Sequence, residues 1–180
     1  RKKMNEAELV LTHVLNCDRL SLYFNKDTDL GEDKSLLISS ILKRRIKGEP
    51  VQYILGVTEF MGLEFKVDKR VLIPRPETEV LVEAAIELIK ASGIASPEIL
   101  DLGTGSGCIA VSLAKYIPDC KITAIDISQA ALNIAKENAK IKVYDPEAME
   151  KAKQIINDVE FCKDPYEAAK DADALLILTE

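Results

Sequence analysis

Several features that often reveal a protein's class are scarce in this 180-residue chain. It has no Trp, one His, four Cys and 5% aromatic residues. No apolar run approaches the roughly 20 residues of a membrane-spanning helix, and no apolar stretch typical of a signal peptide follows Arg1–Met4. The cysteines include no Cys-x-x-Cys pair, which argues against a zinc site or a disulfide framework. These absences predict a reduced, cytoplasmic protein without a membrane segment or a metal site.

The charge is acidic overall and unevenly distributed. The chain carries 24 basic and 30 acidic residues, a net charge of −6, which argues against extensive binding to nucleic acid or to an anionic membrane. Residues 1–70 contain 13 basic and 11 acidic groups, whereas residues 141–180 contain 5 and 10. This drift suggests that the segments differ in origin or role. Apolar residues make up 47% of the chain, which is enough for a folded core.

The first third of the chain has a helical pattern followed by β-like runs. Apolar residues recur at helical spacing over about residues 5–47, and Gly48 and Pro50 end the pattern. Two β-like runs follow, Val51–Leu55 and the alternating stretch Leu63–Val67. We predict a helical domain over residues 1–50 and a β-hairpin linker over residues 51–73.

From Pro74 onward, helices and strands alternate. Pro76 suits the first position of a helix, and the strands Glu98–Leu102 and Lys121–Ile125 enclose a glycine loop and a short helix. Further strand-like runs are Ile141–Tyr144, Val159–Cys162 and Ala174–Leu178, and helical ones are Glu147–Ile156 and Tyr166–Lys170. This alternation predicts an α/β protein with an open, mostly parallel sheet, in which Ala174–Leu178 is apolar enough to lie beside Glu98–Leu102.

The stretch Asp101-Leu-Gly-Thr-Gly-Ser-Gly107 is the most informative part of the sequence. Its three glycines allow a sharp turn and a close approach of the backbone to a ligand. A loop between a strand and a helix directs its amides into the crevice at the carboxyl end of the sheet. Asp126 ends the next strand, where nucleotide-binding sheets place a carboxylate for ribose hydroxyls. Together these features predict a bound ligand rather than merely a tight turn.

The charge beside the loop favours S-adenosyl-L-methionine (AdoMet) over a dinucleotide. In the dinucleotide pattern Gly-x-Gly-x-x-Gly/Ala, counted from Gly103, the last position is Cys108, so the match fails. Asp101 would repel a pyrophosphate at this place. AdoMet has no phosphate and carries an ammonium and a sulfonium, so a nearby carboxylate attracts it.

The motifs resemble those of a known family. Asp101–Gly107 resembles the first motif of class I AdoMet-dependent methyltransferases. Glu49–Gly56, Phe60–Gly62 and Ile73–Glu79 are similar to motifs of the HemK/PrmC family, the release-factor glutamine N5-methyltransferases, over about residues 5–140. The resemblance implies a monomer with a helical domain that docks a release factor, a β-hairpin linker and a Rossmann-like catalytic domain over residues 74–140. It also implies methyl transfer to the side-chain amide nitrogen of a glutamine in the release factor's Gly-Gly-Gln loop.

The resemblance further implies roles for individual residues at the cofactor. Asp101 would face the ammonium of AdoMet, Asp126 would bind the ribose hydroxyls, and Ile127 would pack on the adenine. The loop residues that would line the cofactor are Gly103, Thr104, Gly105 and Gly107.

Three residues of the Ile73–Glu79 motif, Arg75, Glu77 and Thr78, would lie near the active cleft in the family. For Arg75 the alternative is a surface ion pair with Glu77 or Glu79, and for Thr78 it is the capping of a helix.

The acceptor-binding motif of the family is absent from this sequence. The family holds the acceptor amide with Asn-Pro-Pro-Tyr, directly after the fourth strand of the sheet. If Ala174–Leu178 is that strand, Thr179-Glu180 stands in its place. We therefore expect AdoMet binding with little or no methyl transfer, and the catalytic residues are not assigned.

The tail over residues 141–180 has a different resemblance. It is similar to the UDP-binding domain of UDP-glucose/GDP-mannose dehydrogenases, with a join near residues 139–141. A natural fusion, an engineered chimera and an assembly artefact would all give such a truncated or hybrid chain. Two other functions therefore stay open: a non-catalytic module that binds a release factor or AdoMet, and a UDP-sugar-binding fragment.

Overall fold

The structure is a computed structural model that describes residues 4–24, 30–141, 159–160 and 174–177. The helices are α1 (Glu6–Leu15), α2 (Arg19–Phe24), α3 (Gly31–Ile46), α4 (Val51–Leu55), α5 (Pro76–Ser92), α6 (Cys108–Tyr116) and α7 (Gln129–Ile141). The strands are β1 (Val57–Phe60), β2 (Leu63–Lys66), β3 (Glu98–Leu102), β4 (Lys121–Ile125), β5 (Val159–Glu160) and β6 (Ala174–Ile177). The chain divides into two compact units, residues 1–56 and residues 57–180.

The first unit is a small helical bundle. Its core is formed by the buried side chains of Val10 on α1, Ile41 on α3 and Val51 on α4. A capping box starts α1: Asn5 Oδ1 accepts the Glu8 N–H at 2.9 Å, and Glu8 Oε2 accepts the Asn5 N–H at 2.8 Å. The predicted helical N-terminal region is thus confirmed.

The strand predicted at Val51–Leu55 is wrong, because this segment forms helix α4. The Ile54 N–H donates to the Pro50 carbonyl at 3.1 Å, and Gly56 ends the helix with a left-handed φ of +79°. Val51 is 2% exposed in the bundle core. Burial of Val51 against other helices outweighs the β-propensity of the segment, which propensity alone does not reveal.

A buried carboxylate joins α1 to α2. Glu8 Oε1 accepts hydrogen bonds from Tyr23 Oη at 2.5 Å and from Arg19 Nη2 at 2.8 Å. The Tyr23 hydroxyl contributes most to lowering the Glu8 pKa to about 2, followed by the Asn5 N–H, with Arg19 adding a smaller effect against the cost of burial.

This cluster predicts acid sensitivity of the helical unit. Because the Glu8 pKa is lower in the folded than in the unfolded chain, its contribution to stability is present above about pH 5. That contribution is lost as the pH falls toward 2. We expect Glu8→Gln to lower the urea midpoint at pH 7 and to flatten its decline below pH 5, as followed by helical circular dichroism. Glu32→Gln, an exposed change on α3, should keep the wild-type profile; an unchanged profile in Glu8→Gln would contradict the prediction.

The second unit contains a four-stranded parallel sheet in the order β5-β4-β3-β6. Strand β3 is central: Leu100 lies opposite Thr123 of β4 and Leu175 of β6. The predicted strands Glu98–Leu102 and Lys121–Ile125, the helix that begins at Pro76 and the place of Ala174–Ile177 beside β3 are confirmed. The fold is therefore α/β, with a helical N-terminal region followed by a Rossmann-like sheet.

An antiparallel hairpin, β1 and β2, precedes the sheet and packs into the core of the second unit. Phe60 and Phe65 are buried in edge-to-face contact, with ring centroids 6.1 Å apart. The connecting turn, Met61-Gly62, has φ values of +51° and +70°, as a two-residue type I′ turn requires.

Side chains from two helices hold this turn. Glu79 Oε1 on α5 accepts the Met61 N–H at 2.8 Å, and Tyr116 Oη on α6 donates to the Met61 carbonyl at 2.6 Å. The motifs Phe60–Gly62 and Ile73–Glu79 therefore meet in space. The hairpin is fixed to the helices beside the sheet.

Part of the tail prediction lies outside the described residues. Ile141 ends helix α7, so a strand beginning at Ile141 is wrong at that residue. The rest of that strand, the helices predicted within residues 147–156 and 166–170, and Thr179-Glu180 are not described. In the described part of the chain, none of the helices is both long and apolar enough to cross a membrane.

Candidate cofactor site

The glycine loop is fixed across the carboxyl ends of β3 and β4. The N–H groups of Gly103 and Thr104 both donate to the Ile125 carbonyl, at 2.8 and 3.0 Å. The Gly105 N–H donates to Asp126 Oδ2 at 2.8 Å. The loop from the first strand and the acid at the end of the second are thus hydrogen-bonded to each other, as parallel neighbouring strands allow.

The three glycines of the loop have left-handed φ values for different reasons. Gly103, Gly105 and Gly107 have φ values of +75°, +53° and +78°. Among the described residues, an added Cβ would have no neighbour within 4 Å at Gly103, and at Gly105 its nearest atom would be the Gly103 carbonyl oxygen at 3.9 Å. At Gly107 it would meet Ala135 Cβ at 3.0 Å and Cα at 3.1 Å. Gly103 and Gly105 leave open space for a ligand, whereas Gly107 allows α6 to approach α7.

Asp101 is a fully buried carboxylic acid behind the loop. Thr104 Oγ1 donates to Asp101 Oδ2 at 2.7 Å, while Oδ1 is buried and has no hydrogen-bond partner among the described residues. Burial raises the pKa of Asp101 to about 6; Thr104 and the nearby Ala110 amide oppose the rise, and the Asp126 charge adds to it. An unpaired buried acceptor is unfavourable by itself, so this oxygen fits a cationic or N–H donor of a ligand.

Asp126 and Ile127 supply a polar and an apolar group at the same edge. Asp126 Oδ1 accepts the Ser128 N–H at 2.8 Å, and Oδ2 accepts the Gly105 N–H. These bonds use two of the roughly four acceptor positions of a carboxylate, and the side chain is partly exposed. Ile127 is 106% exposed, which offers an apolar surface to a flat ring. The two carboxylates and the exposed apolar side chain therefore fit the amino acid, ribose and adenine parts of AdoMet.

Comparisons with known proteins agree with this geometry. The PrmC N-terminal domain matches residues 2–56, and the Methyltransferase small domain matches residues 77–167, half of the chain. A release factor glutamine methyltransferase of Chlorobaculum tepidum is 48% identical over 145 residues, 77% of this chain and 49% of that protein. The chain belongs to the HemK/PrmC family of methyltransferases.

Other relatives of this HemK/PrmC chain give the same family. A release factor glutamine methyltransferase of Koribacter versatilis is 51% identical over 133 residues, 74% of this chain and 47% of that protein. The chain thus spans about half the length of the curated relatives it matches. Among solved structures, the N-terminal domain of human METTL16 in complex with SAH is similar with a TM-score of 0.42 at 19% identity, over 63% of this chain and 43% of that chain.

The family assignment confirms AdoMet as the cofactor of this class of enzyme. The Methyltransferase small domain match continues to residue 167, beyond the predicted join near residue 140. The dehydrogenase resemblance of the tail is not tested by these matches and stays a prediction.

The structure does not connect the other predicted residues of the HemK/PrmC motif to the loop. Arg75 and Glu77 are exposed at the start of α5, and Thr78 is partly buried. No hydrogen bond or ion pair of the described residues joins them to Asp101–Gly107. Their place in an active cleft stays a prediction.

Both alternatives for this motif are wrong. Arg75 forms no ion pair with Glu77 or Glu79 within the described residues, and Glu79 instead accepts the Met61 N–H. Thr78 is not a helix cap, because α5 begins at Pro76 with Arg75 as its N-cap.

Sequence reasoning missed Asn138, which contacts the loop from helix α7. Asn138 is 1% exposed, and its Nδ2 donates to the Ser106 carbonyl at 2.8 Å. One signal was available: Asn138 follows the buried Ile134 by four residues, so a polar side chain falls on the buried stripe of an amphipathic helix. A polar residue at such a position needs a buried partner.

Proposed function

We propose that this chain binds AdoMet at the carboxyl edge of β3 and β4, and that the whole protein methylates a glutamine side chain in the Gly-Gly-Gln loop of a peptide-chain release factor. The curated relatives named release factor glutamine methyltransferase support the acceptor. The observation that carries the cofactor site is the buried Oδ1 of Asp101 beside the glycine loop, which has no hydrogen-bond partner in the described part of the chain.

Each residue at this edge has a separate task in binding. Asp101, when ionised, attracts the ammonium of the cofactor, directly or through a water. Asp126 accepts hydrogen bonds from the ribose hydroxyls, and Ile127 covers one face of the adenine. Gly103 and Gly105 leave room for the methionine part. AdoMet supplies a methyl group on a sulfonium, which is a good leaving group for a nucleophile.

The acceptor needs additional residues, because an amide nitrogen is a poor nucleophile whose lone pair is delocalised. The site must hold the amide so that the nitrogen is in line with the methyl group. The motif that does this in the family, Asn-Pro-Pro-Tyr, is absent from the sequence. For the 180-residue chain we therefore propose cofactor binding with little or no methyl transfer.

We assign docking of the release factor to residues 1–56, which match the PrmC N-terminal domain. Release factors act on ribosomes, so the proposed place of action is the cytoplasm. The proposed state is a monomer that contacts the release factor without binding nucleic acid directly.

Titration calorimetry with AdoMet tests the cofactor site. We expect Asp126→Ala to weaken AdoMet binding about 10- to 100-fold, because it removes a charged acceptor for the ribose and a partner of the Gly105 amide. The exposed change Glu83→Gln on α5 should leave the affinity unchanged. Absence of binding heat in the wild type, or equal affinity in Asp126→Ala, would refute the site. Radioactive methyl transfer from AdoMet to a purified release factor tests the proposed inactivity, which detectable transfer would refute.

A further inference from the structure

The buried side-chain amide of Asn138 connects two segments that are distant in sequence. Its Oδ1 accepts the Lys66 N–H at 2.7 Å, and its Nδ2 donates to the Lys66 carbonyl at 3.0 Å. The same Nδ2 donates to the Ser106 carbonyl at 2.8 Å. Asn138 therefore pairs with the backbone of strand β2 as a neighbouring strand would, and at the same time holds the glycine loop.

The contact with Ser106 fixes a peptide group inside the glycine loop. The carbonyl of the Ser106–Gly107 peptide accepts from Asn138, and its N–H donates to the Thr104 carbonyl at 2.7 Å. Both ends of the peptide group are thus held, which opposes rotation about the two bonds that flank it, Ser106 Cα–C and the flexible Gly107 N–Cα.

The hydrogen bonds continue from this peptide to the buried acid. Thr104, whose carbonyl holds the Gly107 N–H, also donates its Oγ1 to Asp101 at 2.7 Å. A continuous path of hydrogen bonds thus leads from Lys66 through Asn138 and the loop to Asp101. We expect a displacement of Asn138 to reach the loop along this path, because each of its groups has a defined partner.

Glu137, the residue before Asn138, serves as a comparison because it also contacts Lys66. Glu137, next to Asn138 on α7, forms an ion pair with Lys66 Nζ at 2.6 Å, and both side chains are about half exposed. An exposed pair of this kind contributes little to stability. It joins the same strand, and none of the hydrogen bonds or ion pairs of the described residues links Glu137 to the glycine loop.

We propose that Asn138 is a positioning residue of the cofactor site, which holds the Ser106–Gly107 peptide in the conformation that binds AdoMet and couples hairpin strand β2 to the loop. The choice of AdoMet as the ligand rests on the proposed function, whereas the positioning of the loop does not.

The test compares the full chain carrying Asn138→Ala with two controls. We expect AdoMet binding to weaken about tenfold, since one buried hydrogen bond of the loop is lost. We also expect hydrogen exchange at the Gly107 amide to speed up about tenfold without AdoMet, as measured by NMR below the unfolding transition. Ile134→Ala removes a fully buried side chain from the same helix; it should lower thermal stability but leave the relative protection of Gly107 and the affinity unchanged. Glu137→Gln should change neither the AdoMet affinity nor the hydrogen exchange of the Gly107 amide.

The outcomes distinguish positioning from general stability. Equal effects of Asn138→Ala and Ile134→Ala on affinity and on Gly107 exchange would overturn the proposal. If the wild type does not bind AdoMet, the proposed function fails, and Gly107 exchange alone decides the role of Asn138. Should Asn138→Ala not fold, Asn138→Asp takes its place, because it keeps the acceptor for the Lys66 N–H and removes the donor to the carbonyls of Ser106 and Lys66. Unchanged Gly107 exchange in that variant would overturn the proposal.

Discussion

Asp101→Asn is expected to weaken AdoMet binding 10- to 100-fold. It should also remove the decrease in the free energy of unfolding that the ionisation of Asp101 causes as the pH rises. The variant keeps the size of the side chain but loses the negative charge that faces the ammonium. In the wild type, the pKa of Asp101 rises from 3.8 to about 6 on folding. The folded chain therefore binds this proton more tightly than the unfolded chain does. As the pH rises from about 4 to 6, this group alone lowers the free energy of unfolding by about 2 kcal/mol.

Two measurements check this prediction. The unfolding free energy of Asp101→Asn minus that of the wild type should increase by about 2 kcal/mol between pH 4 and pH 6. Wild-type affinity for AdoMet should rise as the pH increases through 6, because the ionised acid binds the ammonium. The affinity of Asp101→Asn should stay constant over this interval.

The matched control for Asp101 is an acid on the same strand. Glu98→Gln changes an acid whose side chain is 42% exposed at the start of β3, so it should preserve AdoMet affinity and its pH dependence. A pH-independent wild-type affinity, or full binding by Asp101→Asn, would show that Asp101 does not face the cofactor.

Gly107→Ala is expected to destabilise the second unit by about 2–5 kcal/mol. A φ of +78° is strained for alanine, at about 1–2 kcal/mol. The new Cβ would lie 3.0 Å from Ala135 Cβ and 3.1 Å from its Cα, which belongs to the backbone of α7 and cannot rotate away. Overpacking of this kind typically adds about 1–3 kcal/mol. Urea unfolding followed by circular dichroism measures the loss, and calorimetry should show weaker AdoMet binding because α6 and the loop shift together.

Gly93→Ala separates the backbone strain of a left-handed φ from the steric contact with Ala135. Gly93 has a similar φ of +71° at the end of α5, but an added Cβ there has no neighbour within 4 Å. We therefore expect Gly93→Ala to show only the backbone strain, about 1–2 kcal/mol, with normal AdoMet binding. Equal losses in the two variants would mean that the approach of α6 to α7 contributes nothing to the need for glycine at residue 107.

Several elements followed directly from local sequence. Pro76 marked the start of α5, and the apolar runs of β3 and β4 with the intervening glycines predicted the strand-loop-helix order. These signals are local because proline and glycine restrict or widen the backbone angles of their own residues. Helix α4 was not predicted in the same way, because Val51 and Ile54 favour strands and only contacts within the helical bundle stabilise the helix.

The motif residues also divide into those whose place the local sequence predicts and those whose contacts depend on tertiary packing. The sequence placed Asp101 and Asp126 at the ends of neighbouring strands, and the parallel register brings both to one edge of the sheet. It could not show that Glu79 binds the hairpin turn, because the two segments lie 18 residues apart along the chain. That contact depends on how α5 packs against the hairpin.

By itself, the sequence determined the α/β class, the glycine loop with its two acids and the choice of AdoMet over a dinucleotide, since spacing and charge are properties of neighbouring residues. Only the tertiary structure shows that Asp101 is fully buried, with one oxygen that lacks a hydrogen-bond partner among the residues the structure describes. The same holds for the role of Gly107 in the contact of α6 with α7 and for the link that Asn138 makes between β2 and the loop. Burial and hydrogen bonding between distant segments depend on the packing of the whole unit. No local pattern specifies that packing.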